Sequence, residues 1–210
     1  MPARPVTVLY HADCPDGFGA AYAAWRRFGD AASYRPLHHG EAWTMADLAG
    51  HEVFILDFSF PPEKLEEMAS IAASVTQVDH HASALKAWGS RLFANERGEH
   101  IYRHPSLPLN IFFDLDKSGA RLAWEHFHPE TPLPLALHHI EEQDLWRFTL
   151  AGTRPFCRAL RLMPFEFAAW HQLVIETPNE ATPRYCETII QGTAIEQFLL
   201  RETERLANSN

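Results

Sequence analysis

The stretch VTVLYHADCPDGFGAAYAAW (residues 6–25) passes from a β-branched apolar run to an alanine-rich run through a histidine, two acids and two glycines. VTVLY (6–10) reads as a buried strand. GFGAAYAAWRRF (17–28) reads as a helix, with Asp16 near its N-cap. A strand that hands over to a helix in this way is the opening unit of an α/β fold. His11, Asp13 and Asp16 sit at the hand-over, at the carboxyl end of the strand.

The same alternation repeats downstream. EVFILDFSF (52–60) is a second apolar strand ending near Asp57, followed by PPEKLEEMASIAAS, whose prolines and early acids mark a helix start. SVTQVDHHAS (74–83) is a third strand running into Asp79, His80 and His81. LNIFFD (109–114) is a further strand, with helices predicted over KSGARLAWEHF (117–127) and LPLALHHIEEQDLW (133–146), the latter ending near Asp144. This order predicts a Rossmann-like α/β fold with a mainly parallel sheet flanked by helices. From about residue 150, proline-split helical stretches replace the pattern. The expected division is therefore 1–150 for the sheet domain and 151–210 for a helical C-terminal segment, with an amphipathic terminal helix over GTAIEQFLLRETERLA.

Composition narrows the function classes. The 210 residues, 46% hydrophobic and 21% charged, suit one good-sized globular core. No run reaches bilayer-spanning length, and the first apolar run is too short for a secretory leader, so a cytoplasmic protein with no membrane partner is expected. The net charge of −9 argues against an extended nucleic-acid surface. A small phosphorylated ligand remains compatible if metals or local cations reverse the sign at one site. Three scattered cysteines, Cys14, Cys157 and Cys186, read as reduced thiols. Oligomerisation is left open.

In open parallel sheets, ligands bind at the carboxyl ends of the strands. His11, Asp13, Asp16, Asp57, Asp79, His80, His81 and Asp144 would converge there. Carboxylates and imidazoles held rigidly suit divalent ions, and a pair of ions needs a bridging acid. Such a pair generates hydroxide near neutral pH and clamps phosphoryl oxygens. The amides of residues 16–19, at a helix start, would face phosphate. Other candidates have plainer readings. Ser118 reads as an N-cap, and Cys14 as a small buried side chain. His38–His39 and His138–His139 read as structural pairs, since adjacent side chains point apart. Glu141 and Glu142 read as a solvated helix face, with Glu142 able to orient a ligand. Trp124, Trp146 and Trp170 read as core. Arg154 and Arg158 read as surface charges within reach of a phosphate.

VDHHAS resembles the signature of the DHH phosphoesterases. YHADCPDGFGAA resembles their first motif, ILDFSF their second and EEQDLW their fourth, while DKSGARLAW resembles the segment between the third and fourth. The four occur in the family's order across residues 6–146. The resemblance implies a metal-dependent phosphohydrolase that typically uses manganese, with Zn2+ or Mg2+ as other candidates. His11 and Asp16 would hold one ion, Asp57 would bridge, and His80 and Asp144 would hold the second. His81 would lie near the transferred phosphate as a donor, with Asp79 orienting a histidine. Asp57, His80 and His81 would thus carry the chemistry, a metal-supplied hydroxide attacking phosphorus. The implied substrate is a small phosphorylated molecule, such as a short oligonucleotide or a dinucleotide phosphodiester. Alternatives are a polyphosphate or pyrophosphate hydrolase, or a non-catalytic nucleotide- or metal-binding module.

Two features depart from the family. Its first motif commonly carries Asp-x-Asp, and here Cys14 stands at the first of those acids, with Asp13 one residue off. Either Asp13 or Cys14 would supply that ligand, or the site has one fewer. Two-domain members also carry a C-terminal substrate domain with a GGGH motif, whereas all 10 glycines here are isolated. The expectation is a naturally minimal or a truncated catalytic unit.

Overall fold

A computed structural model describes residues 4–40, 44–96 and 98–208. The outermost limits of the two expected domains, residues 1 and 210, lie outside the described residues. The chain forms two compact units, Met1–Pro132 and Leu133–Asn210.

The first unit is an α/β sandwich. Its strands are β1 (Val6–His11), β2 (Ser33–Leu37), β3 (Glu52–Leu56), β4 (Ser74–Asp79), β5 (Phe93–Ala94), β6 (His100–Arg103) and β7 (Leu109–Phe113). They form one sheet in the order β2-β1-β3-β4-β7-β6-β5. The first five in that order are parallel, while β6 and β5 add an antiparallel edge. The Rossmann-like, mainly parallel sheet expected from the sequence is therefore present. Helices α1 (Pro15–Phe28), α2 (Pro62–Ile71), α3 (Ala82–Trp88) and α4 (Gly119–Phe127) cover it.

The period-2 rule explains the two-sided burial. Leu9, Val53, Ile55, Val75, Leu109 and Ile111 project to one face and pack with Leu65 and Met68 of α2 and Trp88 of α3. Phe54, one residue out of that phase, meets Phe28 of α1 at 5.6 Å and Phe127 of α4 at 5.0 Å on the other face. The run Ala20–Ala24 of α1 is fully buried; small side chains there let α1 and α4 approach closely. β2 (SYRPL) escapes the apolar pattern because it is an edge strand. Its Pro36 and Arg35 are tolerated where only one side pairs.

Strand order carries a functional consequence. From β1 the chain moves outward to β2, then returns to place β3 on β1's other flank. The reversal point of an open sheet lies between β1 and β3, where a crevice opens at the strand ends.

The second unit is helical: α5 (Leu135–Asp144), α6 (Thr153–Leu160), α7 (Phe167–Glu176) and α8 (Pro183–Ala207). α5 packs with α6 and α7, which puts the division at 132/133 instead of 150/151. The reason is a polar cluster that the sequence does not advertise. His139 of α5 is fully buried, bonded through Nδ1 to Thr153 Oγ1 (3.0 Å) and through Nε2 to Tyr185 Oη (3.1 Å), and stacked on Phe156. Thr153 spends its hydroxyl proton on Leu150 O (2.9 Å). His139 Nδ1 must therefore donate, and neutral Nε2 accepts from Tyr185. Among the described residues, no helix is long and apolar enough to cross a membrane.

Candidate metal centre

Two turns meet at the reversal point. After β1 the chain turns at Asp13 (φ 51°); after β3 it turns at Asp57 (φ 51°). Both are non-glycine residues in the left-handed region, which aspartate tolerates better than most, and such backbone gathers at functional sites. The Asp13 turn throws its own carboxylate outward, where the side chain is 82% exposed and lies 3.9 Å from His38. The Asp57 turn does the opposite, leaving its side chain 1% exposed.

Asp57 is the hub. Its Oδ1 accepts from His80 Nε2 at 3.1 Å, and His81 Nδ1 lies 4.0 Å from the same oxygen. Its Oδ2 is sealed from solvent and has only His11 Nδ1 beside it, at 3.4 Å and too poorly aligned for a full hydrogen bond. Burial works to raise the Asp57 pKa, but the facing imidazoles of His11, His80 and His81 outweigh it and hold the carboxyl below its ordinary value. A buried anion with one oxygen lacking a well-aligned hydrogen bond is what a cation-binding carboxylate requires.

Two ligand-type groups share this residue. Asp57, Asp79, His80 and His81 present donor atoms within 4.8 Å of one another, and so do His11, Cys14 and Asp57. The protein thus has aspartate and histidine groups close enough to bind a metal ion. Cys14 stands where Asp13 was the alternative, and Asp13 belongs to neither group because its turn faces solvent. Burial, with the Asp57 charge, pushes the Cys14 thiol up to about 12.

Asp16 is 2% exposed and lies 3.6 Å from His80 Nε2. Its carboxylate also accepts from Gly119 N (2.6 Å) and Ala120 N (2.9 Å), capping α4 across the sheet face. Glycine is required on both sides of this approach. A Cβ at Gly119 would stand 2.5 Å from Asp57 Cβ, and one at Gly17 would stand 2.3 Å from His11 O. The amides of residues 16–19 form no open nest for phosphate: that of Phe18 bonds Cys14 O at 2.9 Å, and the Cys14 thiol faces those of Asp16 and Gly17.

Asp79 is fully buried. It belongs to a ligand group, and its Oδ1 accepts from His81 Nδ1 at 2.7 Å while Oδ2 accepts from Ser59 Oγ at 2.5 Å. The Asp79 bond is the main reason the His81 pKa is raised, against the effect of burial. Asp79→Asn should lower any hydrolytic activity about 10–100-fold. It should also move the alkaline fall of the kcat–pH profile to lower pH, because His81 loses the charge that keeps it protonated. An unchanged profile would remove Asp79 from the site.

The sequence reading took His39 as structural and did not single out Phe58. Their rings stack at 4.6 Å, and His39 meets the His11 ring at 5.4 Å. Phe58 follows Asp57 directly, but nothing in the local pattern marks His39, brought in by the turn after β2. A cleft of about 270 Å3 adjoins them, lined by Phe58, Phe60, Pro61 and Ala84 together with Asp79 and His81.

In the second unit, Asp144 is the last residue of α5 and exposed. Ser118 caps α4 as expected, accepting from Arg121 N at 3.3 Å. Two expectations are corrected. Glu141 and Glu142 are buried, 2% and 3% exposed, and not a solvated face. Trp124 and Trp170 are core, but Trp146 is 69% exposed.

No protein-family model matches the chain. The chain is 27% identical over 184 residues to an uncharacterized protein of Acanthamoeba polyphaga mimivirus, a match covering 80% of this chain and 40% of the relative. It thus spans two-fifths of the length of that curated relative. The crystal structure of an uncharacterized protein from Helicobacter pylori is similar at a TM-score of 0.56 and 10% identity, over 93% of this chain and 63% of that one. At that identity the likeness is one of fold.

Proposed function

We propose that this chain is a divalent-metal-dependent phosphoesterase of the DHH type, acting on a small organic phosphoester such as a short oligonucleotide or dinucleotide. The observation that carries the reading is Asp57: a buried carboxylate held charged, shared by two ligand groups, with one oxygen that has no well-aligned hydrogen bond. Asp57, Asp79, His80 and His81 would hold one ion and His11, Cys14 and Asp57 a second. Manganese suits these groups better than zinc, because oxygen and nitrogen donors outnumber the lone thiol. Divalent ions, when bound, supply a nucleophile at neutral pH and positive charge against phosphoryl oxygens.

The chain's own residues do the rest. Asp57 and His80 anchor the centre, with His11 on the other side. His81, oriented by the bond from its Nδ1 to Asp79, which also raises its pKa, donates to a phosphoryl oxygen as charge builds there. Among the described residues, no lysine or arginine lines the adjoining cleft. That favours an ester carrying an apolar or aromatic group over polyphosphate or pyrophosphate. The three free thiols fit a reducing cytoplasm.

One observation favours the non-catalytic alternative: both Asp16 oxygens are already engaged by α4 amides. Metal content and turnover decide between the two. Manganese-loaded protein should carry about two equivalents, as a bridged pair requires, and release nucleotides from short RNA faster than phosphate from polyphosphate. Tight metal binding without turnover on either substrate would establish the binding module instead.

A further inference from the structure

The loop between α5 and α6 holds a second cluster, wholly within the second unit. Trp146 and Phe148 sit at φ 56° and 52°, a region in which bulky side chains are outliers. The loop is held there from beneath. The Glu142 carboxylate accepts from the Thr149 amide, from Thr149 Oγ1 (2.8 Å) and from Leu150 N (3.0 Å). Glu142 O also accepts from Arg147 N at 2.9 Å. A buried glutamate engaged this fully is a positioning residue, and what it positions is in solvent.

The Trp146 ring meets Phe148 edge-on at 4.9 Å. Arg154, from the first turn of α6, lays its guanidinium 3.9 Å over the Phe148 ring and 5.7 Å from that of Trp146. Arg154 forms no ion pair among the described residues, although the chain carries a net charge of −9. An exposed tryptophan on strained backbone contributes nothing to the core. An exposed indole face beside a guanidinium without an acid partner matches a nucleobase attached to a phosphate.

We propose that Trp146, Phe148 and Arg154 form a stacking platform for a base of single-stranded nucleic acid, with Arg154 directed at the adjoining phosphate. The platform narrows the substrate of the phosphoesterase reading to a single-stranded oligonucleotide, and it rests on that reading only for this step. Its test is binding without turnover, so the two can fail separately.

The full chain, kept in EDTA to prevent hydrolysis, is titrated with a short oligothymidylate and with a duplex of the same length, following tryptophan emission and anisotropy. The single strand should bind better than the duplex and quench emission. Trp146→Ala should weaken binding about 10–100-fold and abolish the quench, with Trp146→Phe recovering part of the affinity. Arg154→Gln should weaken binding and lower the salt dependence by about one phosphate contact. Because Trp146 is exposed, circular dichroism of both Trp146 variants should match the parent. Equal binding by parent and Trp146→Ala, or equal affinity for duplex, would overturn the proposal. So would a Trp146-dependent self-association without oligonucleotide binding.

Discussion

Asp57→Asn is expected to abolish metal-dependent hydrolysis, by about 1,000-fold or more, while the protein keeps its native circular dichroism. Asparagine preserves the shape and removes the charge. Three imidazoles face that charge, and two ligand groups share it. Loss of one acid should therefore cost both sides of the centre. Bound manganese, read by mass spectrometry, should fall from about two equivalents to one or none. His80→Ala should lose metal less completely, because His11, Cys14 and Asp57 bring their donor atoms together without His80. Manganese-dependent turnover surviving in Asp57→Asn would end the phosphoesterase reading.

Acid should destabilise the second unit through His139. Burial, with the charge of His138, pushes its pKa down to about 4, against an ordinary value near 6.5. Between these values the unfolded chain binds a proton that the folded unit refuses. Stability is therefore complete above about pH 6.5 and is lost as pH falls toward 4, by about 3 kcal/mol at 1.36 kcal/mol per pKa unit. Glu142 adds a loss in the same direction at lower pH. Burial acts to raise its pKa, but bonds from Leu150 and Thr149 bring it below the ordinary value. Urea unfolding at pH 7 and pH 4.5 should show the drop. His139→Gln, which retains a donor for Thr153 and an acceptor for Tyr185, should flatten it. Equal slopes in both proteins would show that His139 is not buried neutral.

The fold was largely legible because its signals are local. VTVLY, EVFIL and SVTQVD are short apolar runs ended by polar residues. Alanine and proline mark α1 and α2 in the same way. The cluster was legible for the same reason, since His11, Asp57 and His80–His81 each follow a strand end that can be read from its own neighbours. Glu142 and Trp146 were misread because their fates depend on partners that lie outside their own helical pattern. By periodicity Glu142 is a surface acid, yet Thr149 and Leu150 bury it. By composition Trp146 is core, yet the loop that Glu142 pins turns it outward.

The sequence by itself determined the strands β1, β3, β4 and β7 and the helices α1, α2, α4 and α5, but not β2, β5, β6 or α3; it also determined that ligand-type side chains stand at the strand ends. Both follow from short-range periodicity and turn chemistry. Tertiary structure alone decided that β3 returns to the far side of β1, so that His11 and Asp57 meet at the reversal point. It also decided that the turn after β1 offers Cys14 inward and Asp13 to solvent, and that α5 belongs with the helical unit. The reason is that strand order, turn direction and helix docking are settled by pairings between segments far apart in the chain. The free energy of those pairings lies in the packed interface and is written in neither segment alone.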